Sequence, residues 1–268
     1  MPPSRPDSAI PCRTVRVLEL SPLGQSKRPG EFFELTVENP GFASFRPGQF
    51  VMLRPASFGP DLVWGRPFSI AWADEAGVRV FFQKVGRGTG RLAAMRPGET
   101  LAVWGPLGNG FTVEPETPTL LMAGGMGLAP FHGYAMLHPR PTQLTLVFAH
   151  RQPVDCYPFE RLAPLLRCER IEERSPADLP AIAAALESRI EEFRAGLTLA
   201  CGPPPFLRTV QRAALRCGAR AEVSLETRMG CGVGACLGCV VRDAAGHNVR
   251  VCAEGPVFDA RAVDLGGN

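Results

Sequence analysis

The chain has 268 residues, 45% hydrophobic and 21% charged, the make-up of an ordinary globular protein and more than one typical domain needs. Its 29 basic and 26 acidic residues leave a net charge of +3, and no compact basic tract argues for nucleic acid. The longest nearly apolar run, 119–131, is too short and glycine-rich to cross a bilayer, and nothing resembles a secretory signal, so a cytoplasmic protein without membrane contact is expected.

The first dozen residues carry Pro2, Pro3, Pro6 and Pro11 without periodicity and read as a loose arm. From Thr14 to about Pro106 the pattern is β. Phe33, Leu35 and Val37 alternate with Glu34, Thr36 and Glu38, which predicts a strand with one solvated face. Further short strands are predicted at 49–53, 68–73, 78–85 and 100–104, punctuated by Pro47-Gly48, Glu75-Ala76-Gly77 and Pro97-Gly98. Such spacing suggests a small antiparallel barrel.

The texture changes over 112–118. A buried parallel strand is predicted at 119–123 and ends on Gly124-Gly125-Met126-Gly127; a helix follows at 130–137 and a second strand at 144–149. Leu179, Ile182, Ala183, Leu186 and Ile190 keep helical spacing behind a capping box of Ser175 and Asp178. A strand at 197–200 runs into Cys201-Gly202-Pro203. The stripe Phe206, Leu207, Val210, Ala213 and Ala214 then predicts a helix closed by Gly218. Strands alternating with helices imply a parallel α/β unit. Short strands are predicted at 240–242 and 249–252.

The most specific stretch lies near the end. Cys231, Cys236, Cys239 and Cys252 are spaced C-x4-C-x2-C-x12-C, the plant-type ligand pattern of a [2Fe–2S] cluster. Gly232, Gly234 and Gly238 suit a loop that takes positive φ angles and brings amides to the sulfurs. Disulfides would suit a secreted chain, and structural zinc two C-x2-C knuckles where only Cys236 and Cys239 make one. Met229 and Leu237 read as apolar shielding. The other five cysteines (Cys12, Cys156, Cys168, Cys201, Cys217) show no pairing pattern. The four histidines show no metal spacing.

Two weaker signals stand in the barrel. Arg66-Pro67-Phe68-Ser69 offers a fixed guanidinium to a phosphate and a hydroxyl to a ring, or is merely a strand start with a surface arginine. Gly86-Arg87-Gly88-Thr89-Gly90 leads into a short helix whose N-terminus can receive a pyrophosphate, or Thr89 is an ordinary cap. Gly124-Gly125-Met126-Gly127 has the placement of a nucleotide loop without the G-x-G-x-x-G fingerprint. Cys201 ends a parallel strand, where ligands gather; packing or cofactor contact fits it better than nucleophilic catalysis.

Together these motifs resemble the ferredoxin–NAD(P)+ reductase superfamily. The C-terminal Glu226-x-x-Met229-x-Cys231, closing with Val251-Cys252-Ala253-Glu254-Gly255-Pro256-Val257-Phe258, resembles more narrowly the electron-transfer subunits of type B dihydroorotate dehydrogenases. The resemblance covers nearly the whole chain from about Thr14. It implies a multidomain β plus α/β chain: an antiparallel flavin barrel over 12–112, a parallel NAD-binding unit over 113–220 and a small [2Fe–2S] unit over 221–268. It further implies that Arg66, Pro67, Phe68 and Ser69 touch FAD, that Gly88 and Thr89 hold its pyrophosphate, and that Gln83, Lys84 and Val85 line its adenine side. Gly125, Met126, Gly127, Cys201 and Gly202 would border the nicotinamide, and the four cysteines of the motif would hold the cluster. Trp64-Gly65 departs from the family pattern, in which a basic residue is common there.

A nicotinamide delivers a hydride and a cluster carries single electrons, so a flavin must stand between them. No residue set resembles an acid–base site for a small substrate. The resemblance therefore implies that dihydroorotate is oxidised in an FMN-bearing partner, two copies of each chain assembling, with an apolar rim near the cluster as docking face. Two alternatives stay open: a related FAD/[2Fe–2S] reductase serving a hydrogenase, a sulfide-type reductase or an oxygenase, and a cluster-bearing sensor without nucleotide. NADH and NADPH are not distinguished; Arg151 could meet a 2′-phosphate or be a surface charge.

Overall fold

The computed structural model describes residues 10–24 and 31–266; the proline-rich arm lies, up to residue 9, outside the described residues. The first sheet contains β1 (Cys12–Leu23), β2 (Phe32–Val37), β3 (Phe50–Pro55), β4 (Arg66–Ser69), β5 (Trp72–Ala73) and β6 (Val78–Gln83); after the short helix α1 (Arg87–Leu92) comes β7 (Thr100–Leu107). These seven strands are antiparallel in the order β4-β3-β7-β1-β2-β6-β5. Strand β1 serves two halves: Cys12–Arg16 pairs with β7, and beyond a register shift between Val17 and Glu19 the chain pairs with β2. An extra residue bends a strand and increases its twist, which lets one strand turn the corner of a barrel. Val15, Val17, Leu35, Val37, Val51, Leu53, Val80, Phe82 and Val103 fill the interior.

The face of β2 predicted to be solvated is covered at Glu34 and open at Glu38, whose carboxylate meets the exposed Arg16. Glu34 is only 8% exposed, with Arg79 Nε 2.9 Å away and Arg161 on its other oxygen. Arg161 belongs to the second half of the molecule, which lies against this side of the barrel. The alternation of the strand holds, and its polar face is an interface at Glu34 and a surface at Glu38.

The second sheet has the order β10-β9-β8-β11-β12-β15. Its members are β8 (Thr119–Gly124), β9 (Leu144–His150), β10 (Arg167–Glu172), β11 (Leu197–Cys201), β12 (Arg220–Ser224) and, antiparallel at the edge, β15 (Val257–Asp259). The helices α2 (Ala129–Leu137), α3 (Leu179–Glu192) and α4 (Pro204–Cys217) cover it, with Gly218 at φ 70° ending α4. Leu120 and Met122 of β8 join a core that includes residues of α3 and α4, while Leu121 and Ala123 join one that includes residues of α2. A strand buried on both faces reads as an unbroken apolar run. Strand β10 reads Arg-Cys-Glu-Arg-Ile-Glu because it is an edge strand, and its charges hide it from a hydrophobicity reading. Among the described residues no helix is long and apolar enough to cross a membrane.

The cysteine-rich segment adds a hairpin, β13 (Val240–Arg242) with β14 (Asn248–Arg250), and the single turn α5 (Val251–Glu254). Cys252 was expected on a strand and instead sits on α5. The ladder stops at Arg250, whose amide is taken by the Glu254 carboxylate, and the turn brings Val251 N–H to the Cys239 carbonyl at 3.1 Å. Asn109 clamps the chain just beyond it: its amide donates to Val257 O at 2.8 Å, its Oδ1 accepts from Val257 N–H at 2.9 Å, and its backbone N–H reaches Gly255 O at 2.7 Å.

Candidate functional site

The cluster loop lies on the outer face of the barrel. Met52 and Trp104 are paired across β3 and β7 and face outward. Trp104 Nε1 donates to the Cys231 carbonyl at 2.9 Å, and a Cβ on Gly232 would stand 2.6 Å from Met52 Cγ. Gly232 and Gly234 take φ of 73° and 81°, as expected. Gly238 does not; the left-handed residue there is Leu237, at φ 56°. Leu237 is also exposed rather than shielding, whereas Met229 packs on the core.

The four thiols fall into two pairs. The Cys236 side chain stands within reach of the Cys231 thiol and that of Cys239 within reach of Cys252, whose sulfur also feels the charge of Cys231. Backbone amides converge on the sulfurs: Val233, Ala235 and Cys236 donate to Cys231 Sγ at 3.3–3.4 Å, Gly234 donates to Cys252 Sγ at 3.1 Å, and Cys252 N–H reaches Cys239 Sγ at 3.5 Å. Burial pushes the Cys231 thiol up, but these amides and Cys236 outweigh it and hold it at about 7. Burial, with contact and charge from Cys239, pushes Cys252 up to about 12. A single zinc needs four ligands around one point. A [2Fe–2S] cluster takes two thiolates on each iron, a donor set that these four cysteines supply.

The Trp64-Gly65 departure has a steric reason. A Cβ at position 65 would stand 2.5 Å from the Trp104 ring, so no side chain fits there. Trp64 lies over Gly230, whose own Cβ would meet the Trp64 ring and Cys236 Sγ at 3.3 Å each. One residue on, Arg66 donates to the Trp64 carbonyl at 2.7 Å and rests against Gly88, where a Cβ would stand 2.6 Å from Nε. The two weak barrel motifs are thus neighbours in space. Thr89 Oγ1 accepts from Val85 and Gly86 N–H at 2.9 and 3.1 Å, fixing the turn before α1. Phe68 packs on Phe82 with ring centres 5.6 Å apart; Pro67 and Ser69 stand opposite Met52 and Phe50. Lys84 N–H donates to Glu31 O at 2.7 Å, and Val85 is exposed at the rim.

At the carboxyl ends of the parallel strands a cleft of about 1220 Å³ opens, bordered by Gln83, Gly124, Gly125, Tyr157 and Phe206 among others. Two loops meet beneath it backbone to backbone. A Cβ on Gly127 would stand 2.1 Å from the Cys201 carbonyl, and one on Gly202 2.9 Å from Gly124 Cα. Only glycine permits this approach. Gly125 borders the cleft at φ 54°, Met126 is half-buried beside it, and Cys201 is buried underneath. Burial, reinforced by the charge of Glu226, pushes the Cys201 thiol far up, so it is no nucleophile. Gln83, expected on the flavin side, borders this cleft. Tyr157 and Phe206 carried no sequence signal of their role, since apolar rings in loops and helices usually mark core.

Residues 226–264 match the family described as the iron-sulfur cluster binding domain of dihydroorotate dehydrogenase B. The chain is 33% identical over 237 residues to the dihydroorotate dehydrogenase B (NAD(+)) electron transfer subunit of Caldanaerobacter subterraneus subsp. tengcongensis, covering 87% of this chain and 92% of that one. To the Lysinibacillus sphaericus protein of the same name it is 31% identical over 261 residues, covering 94% and 100%. The structure of an NADH-dependent reduced ferredoxin-NADP oxidoreductase superposes with a TM-score of 0.78 at 23% identity, over 94% of this chain and 90% of that one, a likeness of fold. With a ferredoxin-reductase fold, paired thiols against the barrel and this degree of identity along its length, the chain belongs to the family of dihydroorotate dehydrogenase B electron transfer subunits.

Proposed function

We propose that this chain, in the cytoplasm, carries electrons from dihydroorotate oxidation in a catalytic partner to NAD+, through a [2Fe–2S] cluster and FAD, in pyrimidine biosynthesis. The observation that supports the reading is the gathering of four thiols on the outer barrel face, where Trp64, two residues before Arg66, lies over Gly230. Cys231 and Cys236 hold one iron, Cys239 and Cys252 the other. Arg66, Gly88 and Thr89 would hold the FAD pyrophosphate, Pro67, Phe68 and Ser69 border the flavin, and Lys84 and Val85 the adenine, with Gln83 standing between that side and the cleft it also lines. Gly125, Met126, Gly127, Cys201 and Gly202 border the nicotinamide. Held by these residues, FAD would supply the chemistry that links two-electron exchange with a nicotinamide to one-electron exchange with a cluster. The chain's own task is to orient these groups, to supply amides to the sulfurs and to keep water out with Met52, Trp104 and Met229.

The units are taken as 12–112, 113–220 and 221–268, with β12 and β15 of the last stretch adding two strands to the middle sheet. The partner bears FMN and assembles two-plus-two with this chain. Val63, Trp64, Leu237 and Val240 are exposed, and Trp64 lies beside Cys236, the most exposed of the four thiols, which suits a docking face. The test mixes this purified chain with the catalytic chain. Dihydroorotate-driven NAD+ reduction should require both, and Cys252→Ala should abolish it while sparing NADH oxidation by ferricyanide. Coupled turnover that proceeds without this chain would remove the assignment.

A further inference from the structure

Counted outward from β8, β9 is the second strand and β10 the third, so residues just past their ends border the adenosine half of a dinucleotide cleft. Arg151 stands one residue past β9, Glu173 one residue past β10, and both line the cleft. Arg151 donates from Nε and Nη2 to Glu173 Oε1 at 3.1 and 2.6 Å. The carboxylate is the sheltered partner, 17% exposed against 69% for the guanidinium. Its backbone is fixed, because Glu173 N–H donates to the His150 carbonyl at 2.8 Å and the His150 ring stacks on Phe148. Among the described residues Glu173 Oε2 receives no donor.

At the second strand's end an arginine accommodates a ribose 2′-phosphate and an acid accepts from the 2′-hydroxyl; here Arg151 holds that place and the acid reaches it from the end of the third strand. In this chain the arginine is held by the acid. We infer that the Glu173–Arg151 pair selects the coenzyme: Oε2 accepts from the adenosine ribose of NAD(H), and the carboxylate both repels a 2′-phosphate and withholds Arg151 from it. The phosphate could reach the guanidinium only by breaking the pair, leaving Glu173 against a dianion. Selection thus includes a repulsive element as well as an attractive one. The inference rests on the cleft being the dinucleotide site.

The test uses the chain loaded with FAD and cluster, with unchanged visible absorbance as the check on folding. Wild type, Glu173→Gln and Glu173→Gln/Arg151→Ala are compared for kcat/KM with NADH and NADPH against ferricyanide, and for calorimetric binding of adenosine 2′,5′-bisphosphate and 5′-AMP. Glu173→Gln should raise the NADPH/NADH ratio about tenfold or more and tighten the bisphosphate by a similar factor, and the double variant should lose both gains. A ratio and affinity unchanged within about twofold in Glu173→Gln, or a gain that survives in the double variant, would overturn the selector while leaving the cleft intact. If wild type and both variants bind neither nucleotide while NADH still reduces the flavin, the cleft reading itself fails and the selector with it.

Discussion

Gly127 carries the tightest constraint among the glycines of the nucleotide cleft. Its missing side chain lets β8 and β11 bring their ends together, and an added methyl would stand 2.1 Å from a carbonyl oxygen that cannot swing away. Gly127→Ala should therefore cost about 1–3 kcal/mol, read as a lower melting temperature, and weaken NADH oxidation. Gly90→Ala in α1 is the contrast, since nothing lies within 4 Å of its Cβ position, and it should hold or raise the melting temperature. At the same scale His132 on α2 reaches the Ala71 carbonyl of the barrel at 3.3 Å, beside Phe81. Burial is the chief reason its imidazole titrates below 6.5; the Ala71 contact pulls the other way, Arg161 and Arg79 add to the lowering, and Glu34 opposes it. The unfolded chain then binds the extra proton first, so stability present above about pH 6.5 is lost as pH falls through and below that value. His132→Gln should flatten this part of the profile, checked by urea midpoints at about pH 7.5 and 5.5; parallel profiles would refute it.

At the scale of elements, Thr89 works at the third position of α1, reaching back to two amides, not as the N-cap that a local reading allowed. Thr89→Val strands the Val85 and Gly86 N–H groups and should cost roughly 1–2 kcal/mol in the turn before α1. FAD affinity, measured by fluorescence titration of apoprotein, should drop roughly fivefold to thirtyfold if that turn holds the pyrophosphate. Most elements were legible from periodicity, because their burial matches their sequence pattern: β8 on both faces, α4 on one stripe. The failures have separate causes. β10 hides behind edge charges, β2 faces a partner element and not water at Glu34, and Cys252 turns into α5 because a side chain four residues on captures the Arg250 amide.

Over the whole molecule, the cysteine-rich segment is held to the barrel by apolar packing, Phe50, Met52 and Leu107 sharing one core with Cys239, Val251 and Cys252, and by the directional contacts of Trp104 with Cys231 and of Asn109 with residues 255–257. Asn109 satisfies both backbone groups of Val257 from a position 148 residues away in sequence. Asn109→Ala leaves those groups without their partner and should cost about 1–3 kcal/mol. The segment carrying Cys252 would then loosen, and visible absorbance should bleach faster under a chelator than in wild type. Equal bleaching at equal melting temperature would show that the clamp is dispensable.

The spacing of four cysteines and the order of strands and helices are local properties, written in neighbours along the chain, and they alone pointed to a cluster, a barrel and a parallel sheet. Which surfaces meet is not local. That Gly65 is required by Trp104, that Glu34 faces Arg161 rather than water, and that Arg151 is held by Glu173 depend on groups brought together only when the two sheets and the cluster loop pack, since a side chain's charge and volume acquire a role only from what stands opposite.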